Sequence, residues 1–124
     1  LGPNGVITKP LDRRKQVNSI CANFIHSIDA SALMISTNTA TRYGIKDFAM
    51  IHDSYGVLAP DVKLMNEIIR KVFVEIYKQE DLLAKFRDEI SKPLTNEEKL
   101  LLQPMPQKGE LDIEEVLQSD FFFA

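Results

Sequence analysis

The sequence has 124 residues, of which 44% are hydrophobic and 27% are charged, and its formal net charge is −3. This composition is typical of one globular domain with a sizeable core and excludes a disordered chain. No apolar run approaches the roughly 18 residues that a membrane span requires, so we expect no membrane partner. The negative net charge argues against a chain that grips a nucleic-acid backbone by itself, because that grip needs clustered Lys and Arg.

The N-terminus and the single cysteine also limit the possibilities. Residues 1–5 lack the charged start and apolar middle of a signal peptide, and Leu1 is not a natural start residue, so we expect a trimmed piece of a longer protein. Cys21 cannot form an internal disulfide, and no Cys/His cluster has the spacing of a zinc site. These features favour a reducing, cytoplasmic setting.

In chain order, residues 1–22 are predicted to form a loop or connector. Gly and Pro dominate the first ten residues, and the following ones have only weak helical periodicity. A helix is predicted from about Ile28 to Tyr43, with the Ser27 hydroxyl capping its first turn. Gly44 is predicted to end this helix, because glycine adopts a positive φ readily.

The stretch 47–59 has the pattern of a tight β-hairpin. Apolar residues lead to the pair His52-Asp53, and a second apolar run leaves after the turn-like Ser54-Tyr55-Gly56. A structural turn would favour Asn-Gly or Asp-Gly and would not need a histidine beside the acid. This stretch predicts a carboxylate at a rigid bend, although by itself it also fits an ordinary turn aspartate.

The remainder of the chain is predicted to be helical over 60–118. Pro60-Asp61 begins the clearest helix, which we expect to lie in the core against the hairpin. Its apolar stripe consists of Val62, Met65, Ile68, Ile69, Val72, Phe73 and Ile76.

Shorter helices follow. One is predicted over about 81–91 with Leu82, Leu83, Phe86 and Ile90 facing inward, and Thr95 with Glu98 predicts a capping box for the next. Residues 103–109 contain two prolines and must form a loop, and 110–118 is predicted as a last helix. We expect the three terminal phenylalanines to dock on another surface, because exposed they would favour aggregation.

Three separated stretches resemble the single-subunit RNA polymerases of bacteriophages and mitochondria, in the same order and with similar spacing. The first is Lys15-Gln16 through Asn23-Phe24-Ile25-His26-Ser27 with Asp29, and the second is His52-Asp53-Ser54-Tyr55-Gly56. The third comprises Lys108-Gly109, the 112–117 helix and Ser119-Asp120-Phe121-Phe122-Phe123-Ala124. The resemblance covers essentially the whole chain, and its ending is more similar to the phage enzymes.

This resemblance implies an α+β, mainly helical fold in which the central β-hairpin of a polymerase palm packs against helices. Residues 1–124 would be the C-terminal, palm-side fragment of a larger polymerase. Within it, 1–22 would be the connector, 23–59 the primer-contact segment and catalytic hairpin, 60–118 the helices, and 119–124 a C-terminal tail.

The resemblance also implies the residues of a site for template-directed nucleotidyl transfer from NTPs by a two-metal mechanism. Asp53 would be catalytic and a metal ligand, with His52 beside it. The residues expected to contact primer or template are His26, Asp29, Ser54 and Tyr55. The tail residues expected near the active site are Asp120, Phe121, Phe122, Phe123 and Ala124.

The expected cofactor is Mg²⁺, with two ions in the complete enzyme, and the expected partners are DNA template, nascent RNA, NTPs and the remainder of the polymerase chain. The family takes its second carboxylate and its nucleotide-gripping helix from upstream residues. We therefore expect this piece to be inactive alone, and we expect it to belong in the cytoplasm of a bacterial host.

Three alternatives stay open at this point. A DNA polymerase related to bacterial polymerase I also has His-Asp in its palm hairpin, but an acidic residue normally follows, so Ser54 favours RNA synthesis. A metal-dependent phosphohydrolase of the His-Asp type would use His26, His52 and Asp53. That family places its His-Asp pair on a helix, whereas the alternating side-chain pattern from Phe48 to Asp53 indicates a strand. The third alternative is a helical interaction module without enzymatic activity.

Overall fold

The structure is a computed structural model that describes residues 11–79 and 81–122. Its elements in chain order are α1 (Arg13–Arg42), β1 (Phe48–Ile51), β2 (Ser54–Val57), a 3₁₀ turn (Ala59–Asp61), α2 (Val62–Gln79), α3 (Leu82–Ser91), α4 (Asn96–Leu100) and a C-terminal 3₁₀ helix (Ile113–Leu117). Across these ranges the chain is mainly helical with one two-stranded antiparallel sheet. The expected mainly helical α+β class is therefore confirmed.

Helix α1 starts earlier than the sequence predicted. Asp12 caps it, since its carboxylate accepts a hydrogen bond from the Lys15 amide at 3.1 Å. The prediction of a loop or connector is therefore wrong for residues 13–22, while residues 1–10 lie outside the described part. Ser27 is not the N-cap, because its hydroxyl donates to the Phe24 carbonyl at 2.7 Å inside the helix.

The end of α1 follows the prediction. Gly44 has a φ of +99°, and its amide donates to the Thr41 carbonyl at 3.1 Å. The Ile45 amide donates to the Ala40 carbonyl at 3.1 Å. This pair of bonds is a Schellman motif, which usually includes an apolar contact across the turn. Ala40 and Ile45 are both buried in the core, so the cap also fixes where the chain leaves for the hairpin.

The predicted hairpin is confirmed, with a two-residue loop. Ile51 pairs with Ser54 and Phe48 pairs with Val57, so the loop consists of His52 and Asp53 alone. Ser54-Tyr55-Gly56 lies in β2 and is not part of the turn. His52 has a φ of +55°, which two-residue hairpin loops require at their first position.

The core lies between the end of α1, the hairpin and α2. Its buried members are Ala40, Ile45, Met65, Ile68, Ile69 and Val72. Four hairpin side chains pack against them, namely Phe48, Met50, Tyr55 and Val57. The predicted position of α2 against the hairpin is therefore confirmed, except that Val62, the first residue of α2, is 54% exposed.

The shorter helices agree with the sequence in part. The capping box of Thr95 and Glu98 is present, and the loop over 103–109 contains no helix or strand. On α3, however, Leu83 and Ile90 are exposed and do not face inward as predicted. The helix predicted for 110–118 is only a five-residue 3₁₀ helix, Ile113–Leu117.

Candidate functional site

The hairpin loop presents its side chains to solvent beside an open depression of about 450 Å³. His52, Asp53 and Ser54 are all exposed. The depression is lined by Asp53, Ser54, Tyr55, Gly56 and Val57 from the hairpin and by Val62, Met65, Asn66 and Ile69 from α2. Since the hairpin rests on the core and its loop has only two residues, the backbone of Asp53 is held in a defined position at the edge of this depression.

Tyr55 connects the hairpin to α1. Burial raises the pKa of the Tyr55 phenol; the neighbouring Ser36 hydroxyl opposes that shift, and the carboxylates of Asp29 and Asp53 add to it. Both carboxylates are therefore within electrostatic range of the phenol, which stays neutral at physiological pH. Of the predicted site residues, Asp53 and Tyr55 both line the depression, and Asp29 acts on the phenol through its charge.

Asp29 and His26 lie on the same face of α1. Asp29 precedes the buried Ser36 by seven residues, which is two helical turns or about 10 Å along the axis. His26 lies about one turn further toward the N-terminus of α1 and is exposed. Two of the four side chains predicted to contact primer or template therefore lie on the helix face that passes the hairpin.

The chemistry of Asp53 suits magnesium, because Mg²⁺ prefers hard carboxylate oxygens and needs only one or two of them. Within residues 11–79 and 81–122, however, no three His, Cys, Asp or Glu side chains lie close enough to hold a metal ion. Among the residues that line the depression, Asp53 is the one that carries a carboxylate.

The predicted tail residues are divided between solvent and α2. Phe121 is 90% exposed and Asp120 is exposed, whereas Phe122 is half-buried against α2. The rings of Phe122 and Phe73 meet edge to face, with their centroids 4.8 Å apart. Phe123 and Ala124 lie outside the described residues.

Sequence reasoning missed the residue that holds this segment in place. Arg70 is 9% exposed, and its Nη1 donates to the carbonyls of Val116 at 2.7 Å and Ser119 at 2.5 Å. Its Nε donates to Oδ1 of Asn66 at 2.9 Å. No local signal marks this role in the sequence, because Arg70 lies beside the apolar stripe of α2, where a charged residue is ordinary.

Comparison with known proteins decides the family. Residues 4–101 match the family described as DNA-dependent RNA polymerase. The chain belongs to this family. Among its relatives, the DNA-directed RNA polymerase of Enterobacteria phage T3 and T7 RNA polymerase of Escherichia phage T7 are each 36% identical over 115 residues, which is 92% of this chain. DNA-directed RNA polymerase 1, mitochondrial, of Arabidopsis thaliana is 38% identical over 116 residues, or 89% of this chain.

The resemblance read from the three sequence motifs is thus confirmed. As a member of the RNA polymerase family, this chain spans only part of its relatives: 13% of the length of each of the two phage proteins and 11% of the Arabidopsis one. The identities of 36% and 38% do not separate phage from organellar relatives.

The structure also bears on one of the alternatives. The His-Asp phosphohydrolase requires its pair on a helix, whereas His52 and Asp53 form a hairpin loop here. In the ranges that the structure describes, no helix has the length and apolar character needed to pass through a bilayer.

Proposed function

We propose that this chain is the C-terminal, palm-side part of a DNA-directed RNA polymerase, in which Asp53 binds Mg²⁺ for template-directed nucleotidyl transfer. The observation that supports this most is the exposed Asp53 carboxylate at the tip of a hairpin braced on α2, at the edge of a depression of about 450 Å³. The family match and the names of the relatives give the reaction class.

In this proposal, two Mg²⁺ ions would stabilise the attacking 3′-oxygen and the leaving pyrophosphate oxygen. The hairpin contributes rigidity, because its two-residue loop leaves the Asp53 backbone little freedom. Tyr55 stays a neutral phenol next to Asp53, so it adds no second negative charge where polyanionic substrates bind. His52 and Ser54, which are exposed beside Asp53, would contact the primer end or brace the loop.

The proposal divides the chain by role. Residues 23–59 would contain the primer-contact face of α1, with His26 and Asp29, and the catalytic hairpin. Residues 60–118 would support the hairpin from behind, and 119–124 would form the tail. DNA template, nascent RNA and NTPs would be bound jointly with the remainder of the polymerase, which would also supply the second metal-binding carboxylate.

The test is Asp53→Asn in the full-length polymerase that contains this chain. We expect RNA synthesis to fall by about 10³-fold or more, because one metal ligand is lost while the side-chain volume is kept. Promoter DNA binding should be unchanged. Asp47→Asn is the matched control, since Asp47 is exposed at the opposite end of the same hairpin. Full RNA synthesis by the Asp53→Asn enzyme would overturn the proposal.

Metal substitution sharpens this test. Asp53→Cys should lose activity with Mg²⁺ and recover part of it with Mn²⁺, because a thiolate is a softer ligand than a carboxylate. A DNA polymerase would show the same metal dependence, so the assay compares NTPs with dNTPs on the same template. A preference for dNTPs would favour the DNA polymerase alternative.

A further inference from the structure

Arg70 lies at the centre of the contacts that attach the C-terminal segment, residues 113–122, to α2. A guanidinium has five N–H donors in a planar fork and is always charged, so a buried one must find acceptors for most of them. Arg70 meets this need with two backbone carbonyls of the segment and one side chain of α2. The two carbonyls belong to Val116 and Ser119, the end of the 3₁₀ helix and the residues after it.

The third acceptor connects this attachment to the depression beside Asp53. Asn66 accepts from Arg70 Nε, and Asn66 also lines the depression. Because an arginine N–H only donates, the amide oxygen of Asn66 must face Arg70. The amide NH₂ is then the end left for other partners, and among the described residues nothing accepts a hydrogen bond from it.

The remaining contacts attach the segment to α2 on either side of Arg70. The Phe122 ring covers the guanidinium, with its centroid 5.5 Å from the guanidinium carbon. Further along α2, Lys78 forms an ion pair with Glu114, which precedes the Arg70 acceptors on the same segment. Arg70, Lys78 and Phe122 thus hold the segment along one side of α2, and Arg70 also contacts a residue of the depression.

Resting on the function proposed above, we propose that Arg70 is a positioning residue for nucleotidyl transfer. It fixes the C-terminal segment on α2 and, through Asn66, orients an amide donor toward the depression that holds Asp53. That donor would bind an oxygen of the RNA backbone or of the incoming nucleotide. Attachment of the segment and catalysis at Asp53 are then coupled through one side chain.

The experiment uses the full-length polymerase with Arg70→Gln, with residues 113–124 deleted, and with both changes. We expect Arg70→Gln to lower kcat by about 10- to 100-fold, since a small misplacement of a substrate contact has effects of this size. Promoter DNA binding should be unchanged. If the segment, Arg70 and Asn66 act in series, the double variant should be no slower than the deletion alone, because the deletion already removes the two carbonyls that hold the guanidinium.

The matched control is Arg87→Gln. Arg87 also donates from α3 to a loop carbonyl, that of Gln103, which lies outside the C-terminal segment, and Arg87 is not among the described residues that line the depression. This variant should keep the kcat of the parent enzyme. Asn66→Ala should reproduce the loss of kcat while leaving the segment as resistant to proteolysis as in the parent.

Three results would overturn the inference. The first is an unchanged kcat in Arg70→Gln, and the second is a double variant in which the kcat losses of the two single changes multiply. The third is an equal loss of promoter binding and kcat in Arg70→Gln, which would indicate a general folding defect. Should Arg70→Gln fail to fold, Arg70→Lys provides the same comparison, because it keeps the charge but lacks the planar fork of donors that bonds Asn66 and the two carbonyls together. A failure of the proposed function is visible separately, because Asp53→Asn would then retain activity whatever Arg70 does.

Discussion

The Arg70 guanidinium lies 5.5 Å from the centre of the Phe122 ring, and the same ring meets Phe73 edge to face at an angle of 74°. Phe122 therefore contacts a cation and an aromatic ring of α2 at once. Cation–π and edge-to-face contacts are each worth about 0.5–1.5 kcal/mol beyond the area that is buried. The arrangement explains how a segment with a single short 3₁₀ helix stays attached to α2.

Phe122→Ala should lower the free energy of unfolding by about 1–3 kcal/mol, less than for a fully buried phenylalanine because Phe122 is only half-buried. Equilibrium urea unfolding measures the change. Phe121→Ala is the control on the neighbouring residue, which is 90% exposed, and it should change stability by less than about 0.5 kcal/mol. Equal effects of the two variants would contradict the packing described here.

Features that are encoded locally could be predicted from the sequence. The Gly44 cap, the capping box at Thr95 and the apolar stripe of α2 each depend on residues within a few positions of one another. The position of the hairpin bend along the chain, at His52-Asp53, was also predictable, although the assignment of Ser54 to the turn was wrong.

Features that depend on distant residues could not be predicted. Arg70 bonds to carbonyls that lie 46 and 49 residues further along the chain, and no local pattern encodes such a separation. The start of α1 was missed for another reason: most of this helix is exposed, with only Ser36 and Ala40 buried, so it has no apolar stripe. Ser and Asp are both preferred at the N-cap, so residue preference alone could not decide whether the helix begins after Asp12 or after Ser27.

Gly56→Ala should disrupt the hairpin. A Cβ at this position would lie 2.7 Å from the carbonyl oxygen of Ala49 and 3.0 Å from its Cβ, so the backbone of the paired strand would have to move. We expect a loss of about 1–3 kcal/mol in unfolding free energy and, in the full-length polymerase, a loss of RNA synthesis because Asp53 is displaced.

Gly109→Ala is the control for this substitution, because nothing lies within 4 Å of the added Cβ. It should be neutral or should stabilise the chain by up to about 1 kcal/mol by restricting the unfolded state. The prediction for Gly56 fails if urea unfolding gives the two alanine variants the same midpoint.

The left-handed backbone of His52 should decide which residues its position tolerates. Its φ of +55° suits Asn, which adopts this region readily, but not a β-branched residue. His52→Asn should stay within about 0.5 kcal/mol of the parent, whereas His52→Val should lose about 1–2 kcal/mol. Urea unfolding of both variants measures this. A loss of RNA synthesis in the stable His52→Asn polymerase would indicate a role of the imidazole itself. Equal stability of the Asn and Val variants would contradict the prediction, because it would show that the loop conformation is not strained.

The contact between Asp81 and Lys108 should make stability depend on pH in the acidic range. Lys108 Nζ lies 2.7 Å from the Asp81 carboxylate and, with the Ala84 amide, lowers the pKa of that carboxyl. The folded chain therefore binds this proton less readily than the unfolded chain does, so the contribution is present above the unfolded pKa, near pH 4, and is lost as the pH falls through the folded value.

Asp81→Asn should remove this contribution while keeping the N-cap of α3, since Asn caps helices as well as Asp does. We expect the urea midpoint of the variant to lie below that of the parent at pH 7 and the two to converge as the pH falls through the lowered pKa of Asp81. Adding 1 M salt should narrow the difference at pH 7, because the pair is exposed and is screened. Asp88→Asn is the control, because it removes a charge from the same helix and leaves the contact between Asp81 and Lys108 in place. If its stability depends on pH in the same way as that of Asp81→Asn, the effect belongs to the net charge of α3 and not to the contact with Lys108.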